Sequence, residues 1–161
     1  MSLGLYLHIP YCFSKCRYCD FYSHPGERGV PEAYVDALLR ELSRFAPEAP
    51  LQPDTLYFGG GTPSLLRPEQ AKRLIDAARP MPGAEITLEA NPETVTEESL
   101  AGFREAGVNR ISFGVQSARD TQLRTLGRPH TAKQARAAFA AAQRAGFANI
   151  SGDIMLALPH Y

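Results

Sequence analysis

The chain has 161 residues, enough for one ordinary domain with a sizeable core, since domains commonly run from about 100 to 200 residues. Lysine plus arginine and aspartate plus glutamate both total 17, so no net charge draws the chain to nucleic acid or an anionic membrane, and a small-molecule partner is expected. The three cysteines are odd in number and fall within one short stretch, which excludes a disulfide framework.

Residues 3 to 10 are apolar but too few to span a bilayer, lack a basic flank and run into a cysteine rather than a cleavage site. They read as the first strand, Leu5 to Ile9, of a cytoplasmic protein with no transmembrane segment. A cysteine loop follows up to Gly26. Pro31 then opens a helix with Tyr34, Val35, Leu38, Leu39, Leu42 and Phe45 on one face, ending before Pro47. Thr55 to Phe58 is a second strand, broken by Gly59-Gly60-Gly61. Pro68 starts a helix carrying Leu74, Ile75 and Ala78, and Pro80 stops it. Ala84 to Ala90 is a third strand. Thr94 and Glu97 have capping-box spacing for a helix running to Ala106, with Gly107 as its stop.

Val108 to Val115 is the fourth strand, and Thr121 to Leu126 a short helix closed by Gly127. Thr131 and Gln134 again have capping-box spacing, and the stripe of Ala135, Ala138, Phe139 and Ala142 carries a helix to Gly146. The fifth strand runs from Asn149 to Leu158. A weak repeat supports these units, because Ala106-Gly107-Val108-Asn109-Arg110-Ile111-Ser112 recurs as Ala145-Gly146-Phe147-Ala148-Asn149-Ile150-Ser151. Alternating strands and helices predict an α/β fold with about five parallel strands. A full barrel has eight such units in about 250 residues, so the expectation is an incomplete, partial (β/α) barrel, cut after its fifth strand.

The strongest signal is Cys12-Phe13-Ser14-Lys15-Cys16-Arg17-Tyr18-Cys19, directly after a strand. These gaps let one loop wrap an iron–sulfur cubane and ligate three of its irons, leaving the fourth open to an external chelator. Lys15 and Arg17 would offset thiolate charge, and Tyr11, Phe13, Tyr18 and Phe21 would keep water from the sulfurs. The other readings are a zinc site with His8 or His24 as fourth ligand, or three unrelated buried cysteines.

Ligands of α/β folds bind beyond the carboxyl ends of the strands, and the unusual polar and glycine residues here lie at such ends. Gly59-Gly60-Gly61-Thr62-Pro63 follows strand two, as a close-approach loop or a simple tight turn. Glu89 nears the end of strand three and suits ribose hydroxyls, or else is a salt-bridged surface residue. Gln116 ends strand four and Arg128 follows the short helix. Asp153, within an otherwise apolar strand, requires a partner if buried, and Arg128 is the candidate. His130 and His160 read as polar loop residues, and the remaining lysines and arginines as solvated helix faces.

Seven blocks in order now carry a resemblance over essentially the whole chain. They are Tyr6 to Pro10 with the cysteine loop, Gly59 to Pro63, Glu89 to Pro92, Gly107 to Arg110, Gly114 to Ser117, Leu126 to His130, and Asp153 to Pro159. The sequence resembles the oxygen-independent coproporphyrinogen III oxidase group of radical S-adenosylmethionine (SAM) proteins, and within it the haem chaperone branch. The resemblance implies a radical SAM core domain over residues 1–161, with later barrel strands and a C-terminal domain absent.

It also implies a [4Fe-4S] cluster on Cys12, Cys16 and Cys19, whose open iron takes the amino and carboxylate groups of SAM. Tyr6, Tyr18, Gly60 and Glu89 match positions around SAM; Gly61, Thr62, Gln116, Arg128 and Asp153 match further SAM-contacting positions, some of which serve a second SAM in the oxidases. Implied partners are SAM, haem or porphyrinogen, haem-acceptor proteins and an electron donor for the cluster.

Two departures bear on the branch. The oxidases carry a further cysteine two residues after the third cluster cysteine, where this chain has Phe21, which favours haem handling over porphyrinogen oxidation by 5′-deoxyadenosyl radical chemistry. Ala157 and His160 stand where the family has glycine. The family's haem-binding segment would lie beyond Tyr161.

Overall fold

Apolar side chains recur at alternate positions of each strand, so each strand offers one face to a core. Leu7 and Ile9, Leu56 and Phe58, Ile86 and Leu88, and Ile111 and Phe113 are all buried in this way. The structure is a computed structural model that describes residues 3–25, 29–45 and 51–158. In chain order the elements are β1 (Gly4–Ile9), β2 (Tyr11–Cys12), β3 (His24–Pro25), α1 (Glu32–Phe45), β4 (Thr55–Gly60), α2 (Pro68–Ala78), β5 (Glu85–Ala90), α3 (Glu97–Ala106), β6 (Arg110–Gln116), α4 (Asp120–Leu126), α5 (Ala132–Arg144) and β7 (Asn149–Ile154). Single 3-10 turns at Pro63–Leu65 and Pro92–Thr94 follow β4 and β5.

The described strands β1, β4, β5, β6 and β7 form one parallel sheet in that order. Each βα unit therefore lays its strand beside the previous one, which confirms the α/β fold with five parallel strands. Helix α2 packs on α1 and α3, and α3 on α5. Their buried residues, among them Val35, Leu74, Leu100, Phe103 and Ala142, join the strand residues in one hydrophobic cluster. Phe58, Phe103 and Phe113 have no exposed surface, and truncating any of them to alanine would cost about 3–5 kcal/mol.

The opposite face of the sheet is not apolar. The register puts Tyr6 beside Tyr57, Tyr57 beside Thr87, Glu89 beside Ser112 and Ser112 beside Ser151. This face is cross-linked by side chains: Tyr57 to Glu89, Arg110 to Thr87 and Ser151, and Ser151 to Ser112. Parallel strands buried on both faces read as continuous apolar runs. Here a half-polar alternation marks a face that lines a cavity.

Several sequence expectations are corrected. Helix α3 is capped by Thr96, whose hydroxyl accepts from Ser99 N while Ser99 Oγ reaches Thr96 N. Thr94 instead ends the 3-10 turn and bonds Ser64 and the Asn91 carbonyl. Phe45 is 75% exposed, because it falls in the last turn of α1, beyond the reach of the sheet. Strand β4 continues through two of the glycines to Gly60, and β7 stops at Ile154, short of Leu158. His130 is buried, bonded to Glu93 and the Val115 carbonyl, so it is an internal strut rather than a polar loop residue. Gly26, Pro47, Pro159, His160 and Tyr161 lie outside the described residues. No described helix is long and apolar enough to cross a membrane.

Candidate functional site

The cysteine loop is pinned at its base and at its tip. At the base, β2 pairs with β3 and His24 N donates to the Pro10 carbonyl at 2.7 Å. At the tip, Arg17 N donates to the Leu126 carbonyl at 3.1 Å, tying the loop to the end of α4. Gly61 lets β4 pass beneath, since its N donates to the Ile9 carbonyl and a Cβ there would stand 2.7 Å from the Tyr11 carbonyl and 3.0 Å from Cys12 Sγ. The glycine run is thus a close-approach device as well as a turn.

One cavity of about 320 Å³ opens at the carboxyl ends of the strands. It is lined by Cys12, Cys16, Cys19, Tyr18, Gly60, Gly61, Thr62, Glu89, Gln116, Arg128 and Asp153 together. Of the residues matched to the cluster and to SAM positions, Tyr6 alone stays apart. Its ring stacks on Tyr57 with centroids 6.1 Å apart, and its hydroxyl meets His8 Nδ1 at 3.0 Å.

Hydrogen bonds orient the lining groups. Glu89 accepts from Tyr57 Oη at 2.8 Å and from Gly60 N at 3.2 Å, so its carboxylate is held at the mouth of β4. Thr62, buried at 2% exposure, donates to Cys12 Sγ at 3.4 Å. Arg128, 8% exposed, donates through Nη1 to Cys16 Sγ at 3.3 Å and through Nη2 to Asn91 Oδ1 at 2.6 Å and the Gly114 carbonyl at 2.8 Å. Burial alone would depress the Arg128 pKa, but the Cys16 sulfur and the Glu93 carboxylate hold it above the ordinary value, so the buried charge persists. Burial also pushes the Tyr18 phenol up to about 12, leaving it protonated at neutral pH.

The expected Asp153–Arg128 pair is absent. Asp153 is exposed, on the last described strand of the sheet, and its bond is to Ser112 Oγ at 3.4 Å. It therefore needs no buried partner, and Arg128 is committed to Cys16, Asn91 and Gly114. The aromatic shield is partial, since Phe13, Tyr18 and Phe21 are all exposed, Phe21 at 69%. Neither histidine offered for a zinc site lines the cavity. His8 is engaged by Tyr6 and Tyr22, and His24 packs edge-on against Tyr22. Among the described residues no three His, Cys, Asp or Glu side chains converge on a single ion.

Sequence reasoning missed Asn91, Ser112 and Gly114, which also line the cavity. The signal was the alternation of polar residues along strands, as in Thr87 and Glu89, Arg110 and Ser112, and Ser151 and Asp153.

A parallel α/β sheet with a three-cysteine loop at its strand ends is the arrangement of the radical SAM superfamily. Residues 6–161 match that family's model, and the chain belongs to it. It is 43% identical over 163 residues to the protein named Heme chaperone HemW of Escherichia coli, covering 98% of this chain and 43% of that one. To the Bacillus subtilis protein of the same name it is 40% identical, covering 96% of this chain and 42% of that one. The chain thus spans less than half the length of these relatives. Among solved structures, the coproporphyrinogen III oxidase HemN of E. coli, described as a radical SAM enzyme, matches with a TM-score of 0.88 at 30% identity, over 99% of this chain and 38% of that one.

The superfamily implies a [4Fe-4S] cluster and SAM. The residues present fit both. Three thiols share one cavity with hydrogen-bond donors already on two of the sulfurs, and Arg128 Nε is buried with no partner among the described residues.

Proposed function

We propose that Cys12, Cys16 and Cys19 hold a [4Fe-4S] cluster with one iron open to SAM, and that the chain is the radical SAM core of a cytoplasmic haem chaperone. The observation that carries the reading is the convergence of all three thiols with Glu89, Gln116, Arg128 and Asp153 on one cavity. A reduced cluster and bound SAM together supply one-electron chemistry. The chain's own residues bind and orient them. Glu89, held by Tyr57 and Gly60, accepts from ribose hydroxyls; Asp153 accepts from a cationic group; Gly60, Gly61, Thr62 and Gln116 form the wall, and Tyr18 closes the cluster side as a neutral phenol. Tyr6 supports this wall through Tyr57.

Haem, its acceptor proteins and an electron donor are the proposed partners. The likeness to Heme chaperone HemW and the Phe21 position support haem handling. The test is anaerobic reconstitution with iron and sulfide, then titration of SAM into the product and of haem into the protein at its full natural length. Stoichiometric haem binding is expected, and its absence rejects the chaperone.

The likeness to HemN favours a second reading, a coproporphyrinogen III oxidase that decarboxylates propionate side chains. Protoporphyrinogen formed from coproporphyrinogen with reduced cluster and SAM would establish that activity instead.

A further inference from the structure

Asn91 follows β5 and lines the cavity, and its side-chain amide is used at both ends. Oδ1 accepts from Arg128 Nη2 at 2.6 Å, and Nδ2 donates to Thr62 Oγ1 at 3.1 Å. The orientation of that amide is dictated by its neighbours. A guanidinium can only donate, so the oxygen of Asn91 must face Arg128 and its NH₂ must face Thr62. Thr62 Oγ1 then accepts from Asn91, which leaves the hydroxyl proton of Thr62 for Cys12 Sγ, 3.4 Å away. On the other side the same guanidinium reaches Cys16 Sγ at 3.3 Å. Thr62 and Arg128 are buried at 2% and 8% exposure, so little water competes with either donor. Gly114 makes room for the assembly: a Cβ there would stand 3.1 Å from Asn91 Oδ1 and 3.2 Å from Arg128 Nη2.

We infer that Asn91 is a positioning residue that aims the Thr62 hydroxyl at Cys12 and the Arg128 guanidinium at Cys16, and thereby raises the reduction potential of a cluster carried on those sulfurs. The inference rests on the cluster assignment proposed above. Hydrogen bonds donated to cluster sulfurs stabilise the more negative reduced state, and a charged donor does so more strongly than a neutral one. Asn91 touches neither sulfur; it acts by removing the alternatives open to two groups that do.

The experiment uses the anaerobically reconstituted chain without SAM, so that cofactor contacts do not enter. Iron and sulfide per chain are measured first, and the midpoint potential is then read from a redox titration followed by electron paramagnetic resonance. Asn91→Ala and Thr62→Val are each expected to shift the potential negative. The double variant should fall short of the sum of the two shifts, because the part of the Asn91 effect that runs through Thr62 uses the same hydrogen bond to Cys12. Asn91→Asp, nearly isosteric, serves where the alanine variant takes up less cluster. Its carboxylate only accepts, which draws the Thr62 proton away from sulfur, so the hyperfine coupling of the Thr62 hydroxyl deuteron at the reduced cluster should vanish there, as is expected in Thr62→Val too.

Wild-type potentials in the Asn91 variants, strictly additive shifts, or an undiminished deuteron coupling in Asn91→Asp would each overturn the inference. Absence of iron and sulfide from the wild-type chain would refute the cluster assignment itself, and the inference with it.

Discussion

Arg128 donates to Cys16 Sγ at 3.3 Å although the two are 112 positions apart in the chain. That part-buried contact joins the loop after β2 to the segment after α4, across the open end of the sheet. Replacing Arg128 by lysine keeps a charge but loses the planar fork that serves Cys16, Asn91 and Gly114 at once. Arg128→Lys is expected to destabilise the cluster-free chain by about 2–3 kcal/mol, since buried acceptors go unpaired, as read from urea unfolding. A stability within error of wild type would show the fork to be dispensable.

Cys16→Ala should abolish cluster retention after reconstitution, measured as iron and sulfide per chain and as visible absorbance. The outcome against it is a variant with wild-type absorbance. Cys12 and Cys19 line the same cavity and should behave alike.

Asp153→Asn should leave the cluster intact and weaken SAM binding by roughly tenfold or more, since a hydrogen bond to a charged group contributes about 1.5–3 kcal/mol. Asp153 is exposed and among the described residues its hydrogen bond is to Ser112, so folding should not depend on its charge. Equilibrium dialysis of SAM with reconstituted protein decides this; unchanged affinity removes Asp153 from the binding wall.

Ala157 has φ 55, in the left-handed region where a Cβ is strained, at a position where the family resemblance has glycine. Ala157→Gly should therefore stabilise the chain by about 1 kcal/mol, the relief of strain exceeding the added freedom of the unfolded state. Thermal or urea unfolding checks the sign, and a loss of stability contradicts it.

The Tyr57 phenol lies above its ordinary value, first because of burial and then because it donates to Glu89. In the unfolded chain it ionises at about pH 10, whereas the folded chain keeps the proton to higher pH. The unfolded state thus binds fewer protons in that window, so stability is full below about pH 10 and falls as pH rises towards the folded value. Tyr57→Phe should make the decline of the urea midpoint above about pH 10 shallower. Tyr6 and Tyr34 are also raised, so some decline remains. An unaltered slope would contradict the assignment.

The order of elements was legible in the sequence because local signals are strong here. Pro68 starts α2 and Thr131 with Gln134 caps α5, where each signal falls within one helical turn. The cap of α3 was misread because Thr94 and Thr96 both precede an acidic run, and only the 3-10 turn at Pro92–Thr94 shows which threonine is left to cap. Most of the candidate site was legible too, since polar and glycine residues at strand ends are conspicuous against an apolar pattern.

By itself the sequence determined the succession of strands and helices, the three-thiol loop and the strand-end polar residues, all of them consequences of short-range spacing. Only the tertiary structure decided the pairings: that Arg128 turns to Cys16 and not to Asp153, that Tyr6 stays outside the cavity, and that Asn91 links two sulfur-directed donors. Those outcomes depend on which strand lies beside which and on which groups water can still reach. Spacing along the chain carries neither piece of information, because hydrogen-bond partners in a parallel sheet come from units tens of residues apart.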